Sequence, residues 1–247
     1  MQITIPKTST ILSTLLRADL TTQWRNRKSL IMVIIVPVII LTSWKPLIDK
    51  VGGAFVLSTS ITIGLISIGL MGYSNAIARD RDKGIFQRLR VAPVSSWCIM
   101  ASRLIVQLLT ITLLTLLVFV IGYDFDHVKL SISGYVLTFI SAIASGAVYL
   151  SMGQVIVGRI KNPETVQSTT RLVYLSFIMV GMFGQLGVLG DQIKQIVHYS
   201  PYGTVNAILA SSMEPSKWTN ESTMLLLLTL GYTLVFSFLG IKWFKWK

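Results

Sequence analysis

Charge is scarce in this sequence. Asp, Glu, Lys and Arg make up 13% of its 247 residues, about half the share of an average soluble domain. The chain therefore lacks the polar material a water-facing globule needs to cover itself. Acids are scarcer still, 10 against 22 Lys and Arg. The one cysteine, Cys98, excludes an intrachain disulfide. The two histidines, His127 and His198, stand far apart, and no HExxH or grouping of His, Cys and carboxylates could hold a catalytic metal. No GxxxxGK[ST] occurs, so the chain builds no phosphate-binding loop of its own. No cofactor and no catalysis are expected on this chain.

What the chain has instead is apolar length: 52% of the residues are hydrophobic, gathered in runs long enough to cross a bilayer. Hydrocarbon requires each run to satisfy its own backbone polar groups, as a helix does. The expected fold is an all-α integral membrane protein of six transmembrane helices. The spans are placed at Ser29–Trp44, Val51–Ile77, Ala101–Gly122, Ile132–Val157, Leu172–Gly190 and Thr223–Ile241, and Pro37 is expected to bend the first. Residues 1–28 precede this 29–241 domain, and a basic tail, 242–247, follows it.

The net charge of +12 has a direction rather than a nucleic-acid partner. Seventeen of the 22 Lys and Arg fall in residues 1–28, the stretch after span two, the stretch after span four and the tail. Lys45, Lys50, Lys129, Lys194 and Lys217 fall on the other side. The first side is expected to be cytoplasmic, with both termini inside. Trp24, Trp44, Trp97, Trp243 and Trp246 lie near the expected interfaces.

Between the spans, residues 11–24 place Ile11, Leu12, Leu15, Leu16 and Leu20 on one helical face, with Arg17 and Asp19 off it. This predicts an amphipathic helix lying in the membrane interface. Residues 79–95, RDRDKGIFQRLRVAPVS, are strongly charged, yet Ile85, Phe86 and Leu89 recur at helical spacing until Pro93 stops the pattern. A short helix with one apolar face suits a soluble partner; an ordinary basic loop that fixes topology fits as well. Residues 191–222 are expected to form short external helices dipping back toward the membrane around Pro201. Two sets of small residues, Ser141, Ala142, Ser145 and Gly146, then Gly181, Gly184, Gly187 and Gly190, predict close helix packing.

The spans carry no acids, and their polar groups, Gln107, Gln154 and Gln185 among them, are neutral. That disfavours proton coupling. Sodium held by backbone carbonyls and hydroxyls stays open as a coupling ion; otherwise the energy for active transport is expected to come from another polypeptide.

The segment after span two resembles that of the ABC-2 type permeases, the membrane subunits of ABC exporters. The likeness rests on Asp80, Arg81, Asp82, Gly84, Arg88, Leu89 and Pro93, with Asp where that family more often has Glu. Pro201, Tyr202 and Gly203, in SPYGTVNAILA, resemble its external region, without the basic residue often found shortly after. The resemblance implies efflux across a prokaryotic plasma membrane by a dimer, more readily of two identical chains. Two ATPase subunits encoded elsewhere would bind ATP and Mg. Residues 79–95 would be the coupling helix, with Phe86 and Leu89 in apolar contact with the ATPase and Asp80, Arg81 and Asp82 in ion pairs. Lack of charge in the spans suits a lipophilic drug, antibiotic or lipid; a lipid-linked polysaccharide or teichoic acid is the rival cargo. Gln107, Tyr149, Gln154, Tyr174 and Phe177 are candidate pathway residues, the three aromatic ones equally serviceable as packing. From other classes, an ion-coupled secondary carrier and a non-transporting membrane anchor or assembly protein remain open.

Overall fold

The computed structural model describes residues 8–91 and 96–243, with backbone alone at residues 28–30, 32, 89–91 and 96. Among the described residues every regular element is helical. In chain order, α1 (Thr8–Arg25) is followed by α2 (Arg27–Ser43) and, after one 3-10 turn, the short α3 (Ile48–Val51). A single 30-residue rod comes next. It is assembled from α4 (Gly53–Ile66), a π-helical stretch (Ser67–Ser74) and α5 (Asn75–Asp82). Then come α6 (Ile85–Val91), α7 (Ser96–Asp124) and α8 (Ile132–Arg159). Another interrupted helix joins α9 (Pro163–Ser176), a π-helical stretch (Phe177–Met182) and α10 (Phe183–Gln185). Helices α11 (Asp191–Tyr199), α12 (Pro201–Met213) and α13 (Asn220–Trp243) close the chain.

The rod is the centre of the bundle because it has no polar face to turn outward. From Val56 to Ile66 every residue is buried, including Ser58, Thr59, Ser60 and Thr62. Small hydroxyl residues let neighbours close in, and their own polarity is returned to backbone. Thr62 donates to the Ser58 carbonyl at 2.7 Å, and Ser60 donates to the Pro37 carbonyl of α2 at 2.8 Å. Helices α2, α7, α8 and α12 pack around the rod, and α13 lies on the far side of α8. The rod and α8 approach backbone to backbone. A Cβ at Gly69 would collide with the Tyr149 main chain, and one at Gly153 with the Gly69 carbonyl.

Among the described residues four helices are long and apolar enough to cross a membrane: Gly53–Asp82, Trp97–Asp124, Ile132–Arg159 and Asn220–Trp243. The remaining two expected spans, the first and the fifth, are not among these four. Helix α2 has 17 residues and stays helical through Pro37. The fifth expected span, Leu172–Gly190, is displaced. Its helix begins at Pro163, because the Asn162 side chain caps the Glu164 and Thr165 amides and proline suits the first helical position. The helix stops at Gln185, after which Gly187 and Gly190 adopt φ of +77° and +99°. Of the four glycines expected to pack, only Gly181 and Gly184 do so, against Tyr202 and Val197; the other two are turn residues. The small residues of α8 pack as expected, with Ala142, Ser145 and Gly146 buried.

Helices α11 and α12 are the expected pair around Pro201. Ser200 ends one and caps the other, its hydroxyl accepting from the Gly203 amide at 3.3 Å. The carbonyls at the break are answered by tyrosines: Tyr232 donates to Tyr199 at 2.7 Å and Tyr149 to Pro201 at 3.0 Å.

Candidate functional site

The segment expected to act as one coupling helix is two elements. The rod ends at Asp82, and Gly84, at φ +65°, takes the left-handed turn that closes it. Glycine adopts that conformation without a Cβ penalty. The Gly84 amide donates to the Arg81 carbonyl at 3.0 Å, and the Arg88 amide to the Gly84 carbonyl at 3.1 Å as α6 begins. Asp80, Arg81 and Asp82 therefore sit on the last turn of the rod, and α6 carries Phe86 and Arg88.

Arg81 serves a neighbouring helix. Its guanidinium donates to the carbonyls of Val157 at 2.7 Å, Ile160 at 2.6 Å and Lys161 at 3.0 Å. These lie where α8 ends and its last carbonyls have no helical donors. Asp80 faces α7 and pairs with Arg103. The same guanidinium reaches Asp19 of α1 at 3.3 Å, and Ser102 donates to Asp19 at 2.5 Å. Burial holds the Asp19 carboxyl above its ordinary 3.8; Arg103 and the Ser102 hydroxyl pull it back, and Asp80 adds to the rise. Two acids from different helices thus share one guanidinium. Gln23 of α1 also donates to Thr110 of α7 at 3.3 Å.

Phe86, expected to meet a partner, is 2% exposed. Its ring lies 5.9 Å from the Arg103 guanidinium, so it seats α6 on its own chain. Among the described residues of this region the exposed positions are Arg79, Asp82, Lys83, Gln87 and Arg88. The Leu89 side chain and Pro93 lie outside what the structure describes.

Two cavities flank this knot. One of about 380 Å³ lies between α1, the rod's end and α7, and is lined by Asp19, Tyr73, Asp80, Arg103 and Gln107 among others. The other, about 540 Å³ and largely apolar, lies between α7, α8 and α13. Gln154 is at its floor, accepting from the Tyr73 hydroxyl at 2.7 Å. Of the five candidate pathway residues, Gln107 and Gln154 therefore line cavities. Tyr149 is fully buried, Tyr174 is 6% exposed, and Phe177 packs edge-on against Tyr149 at 6.0 Å. These three aromatic residues fill space between helices.

Sequence reasoning missed two groups. Asp19 was placed off the working face of α1, yet it is the residue that fastens α1 to α7. At the opposite end of the bundle Asn206 is buried on α12; it donates to Thr59 at 2.9 Å and accepts from Gln185 at 3.2 Å. Its signal was a lone amide in the apolar run YGTVNAILA. Among the described residues no three His, Cys, Asp or Glu come together to hold a metal. The arrangement fastens the ends of neighbouring helices to one another.

A model of the ABC-2 type transporter family matches residues 10–212. The chain belongs to that family. No curated protein matches it. The permease is thus a multi-pass membrane component of a transporter, of a kind that generally works with ATP-binding cassette ATPases. The matched residues include α1, the rod, α6 and the Ser200–Pro201 break, so the knot around Arg81 and Arg103 lies inside the family region.

Proposed function

We propose that the permease is half of the membrane pathway of an ATP-driven exporter. Two copies, with two ATPase subunits that bind ATP and Mg, would move a lipophilic drug, antibiotic or lipid outward across a prokaryotic plasma membrane. Six spans with both termini cytoplasmic complete this reading. Helix α2, at 17 residues, is ~26 Å long at 1.5 Å per residue, close to the ~30 Å hydrocarbon thickness. The helical run 163–185 exceeds that length. The Lys and Arg asymmetry supports the orientation.

The observation that carries the proposal is the fastening at the root of α6. A partner pressing on Gln87 and Arg88 would act just across the Gly84 turn from Asp80 and Arg81, which grip α7, α1 and α8 together. Displacement of one short helix is thereby shared among four elements. ATP-driven closure of the ATPase pair would shift the populations of inward- and outward-facing states through this contact. The chain itself breaks no bond.

The test is reconstitution with the ATPase chain. ATP hydrolysis and flux are measured for wild type and for Gln87→Glu, Arg88→Glu, across lipophilic drugs and lipid-linked glycans. Stimulation by lipophilic compounds, reduced roughly tenfold in the correctly inserted variant, is expected; that corresponds to the loss of one charged contact of ~1.5 kcal/mol. Stimulation by glycans alone would move the cargo to lipid-linked polysaccharide or teichoic acid. Flux driven by an ion gradient without any ATPase would make the protein a secondary carrier, and ATPase binding without flux an anchor.

A further inference from the structure

The 380 Å³ cavity at the basic end exceeds the ~300 Å³ at which small-molecule sites begin, and its charges do not balance. Arg25, Arg79, Lys83 and Arg103 line it against Asp19 and Asp80. Both acids are committed to Arg103. Arg25, Arg79 and Lys83 are exposed and have no acidic partner among the described residues.

A second, independent feature points the same way. Asn26 lines the cavity and is the N-cap of α2, yet its side chain makes no capping hydrogen bond. The start of this 17-residue helix therefore carries no side-chain acceptor from its cap, and that cap residue borders the cavity. A helix N-terminus with three unbalanced cations beside it is a site for an anion.

The surroundings select which anion. Trp24, next to Arg25, is 75% exposed, and Ile31, Ile35 and Ile39 form an exposed stripe running along α2 from the cavity rim. A free phosphate has no use for that stripe; an acyl chain does. We propose that the cavity seats the phosphate of an anionic phospholipid, with its chains lying along the α2 stripe. The proposal rests on the orientation given above, which puts this end in the cytoplasmic leaflet, where anionic headgroups attract basic residues. Bound there, the lipid would bridge α1, α2 and the rod beside the Arg103 knot.

The test uses the full chain in neutral detergent micelles, titrated with phosphatidylglycerol, phosphatidylcholine or inorganic phosphate and followed by native mass spectrometry. Phosphatidylglycerol is expected to bind saturably and in preference to phosphatidylcholine. Arg25→Gln, Arg79→Gln, Lys83→Gln together should weaken it about a hundredfold, at about fivefold per cation. Arg88→Gln, Lys161→Gln, which neutralises two cations at the same end outside the cavity, should change it about twofold at most. Equal losses in both variants, no loss in the triple variant, or equal affinity for inorganic phosphate would each overturn the proposal. The readout needs neither ATPase nor cargo, so its failure and that of the exporter reading are separable.

Discussion

Replacing Arg81 with methionine keeps the bulk of the side chain and removes its donors. The structure gives those donors three acceptors, the carbonyls of Val157, Ile160 and Lys161. A hydrogen bond to a charged group contributes ~1.5–3 kcal/mol when buried. Arg81 is half-buried and the Lys161 bond is exposed, so ~1 kcal/mol each is the appropriate figure after screening. A cation at a helix C-terminus adds ~0.5 kcal/mol, which brings the expected loss to ~3–4 kcal/mol. At 2–4 °C per kcal/mol for a chain of this size, Tm should fall by roughly 6–15 °C. Arg81→Lys keeps the charge as a single point and loses the planar fork, so about half the loss should remain. Tryptophan fluorescence during a thermal scan of the detergent-solubilised protein measures both. If Arg81→Met melts within ~2 °C of wild type, the guanidinium does not secure α8, and the fastening argument fails with it.

Three further outcomes follow from the packing. Gly153→Ala places a methyl group against Ser74 Oγ and the Gly69 carbonyl; overpacking of ~1–3 kcal/mol should lower the monodisperse yield in fluorescence-detected chromatography, and wild-type behaviour would show that α8 is free to move off the rod. Asn206→Leu strands the Thr59 hydroxyl and the Gln185 amide, at ~1–3 kcal/mol for each buried group, and Tm should fall accordingly. Asp126, in the turn after α7, is held above its ordinary 3.8 by burial, against the pull of Lys45 and His127. Its neutral form therefore contributes stability that is complete below 3.8 and lost as pH rises through the folded value. Asp126→Asn should match wild type in acid and melt higher at pH 7; a lower Tm at pH 7 would show that the carboxylate is stabilised there.

Four of the expected spans were legible because apolar length is a property of the chain itself: VGGAFVLSTSITIGLISIGL has no polar side to misplace. The start of α9 was missed because Asn162 and Pro163 set it, while hydropathy responds only from Leu172 onward. Gly84 was quoted for its place in a motif, though a glycine after Lys83 is also a helix stop, and that second meaning separates the acidic-basic triplet from α6. Asp19 was misjudged for a different reason. Helical periodicity compares residues with water or hydrocarbon, and it has no category for a face turned toward a guanidinium 84 residues away. Asn206 likewise gains its meaning only from Thr59 and Gln185, which no local pattern connects to it.

The rod and α8 touch at successive places along the rod: Leu65 against Gly146, the glycine crossing at Gly69 and Gly153, and the Arg81 bonds to residues 157–161. Twelve residues of helix separate Gly69 from Arg81, ~18 Å at helical rise. A beam pinned once can swivel about the pin; a beam pinned twice cannot. The two longest-buried helices of the bundle are therefore one lever, and a conformational change in this protein has to find its joints elsewhere. The polar seam between α1 and α7 is one, held by two acids that share the Arg103 charge and by the Gln23–Thr110 hydrogen bond.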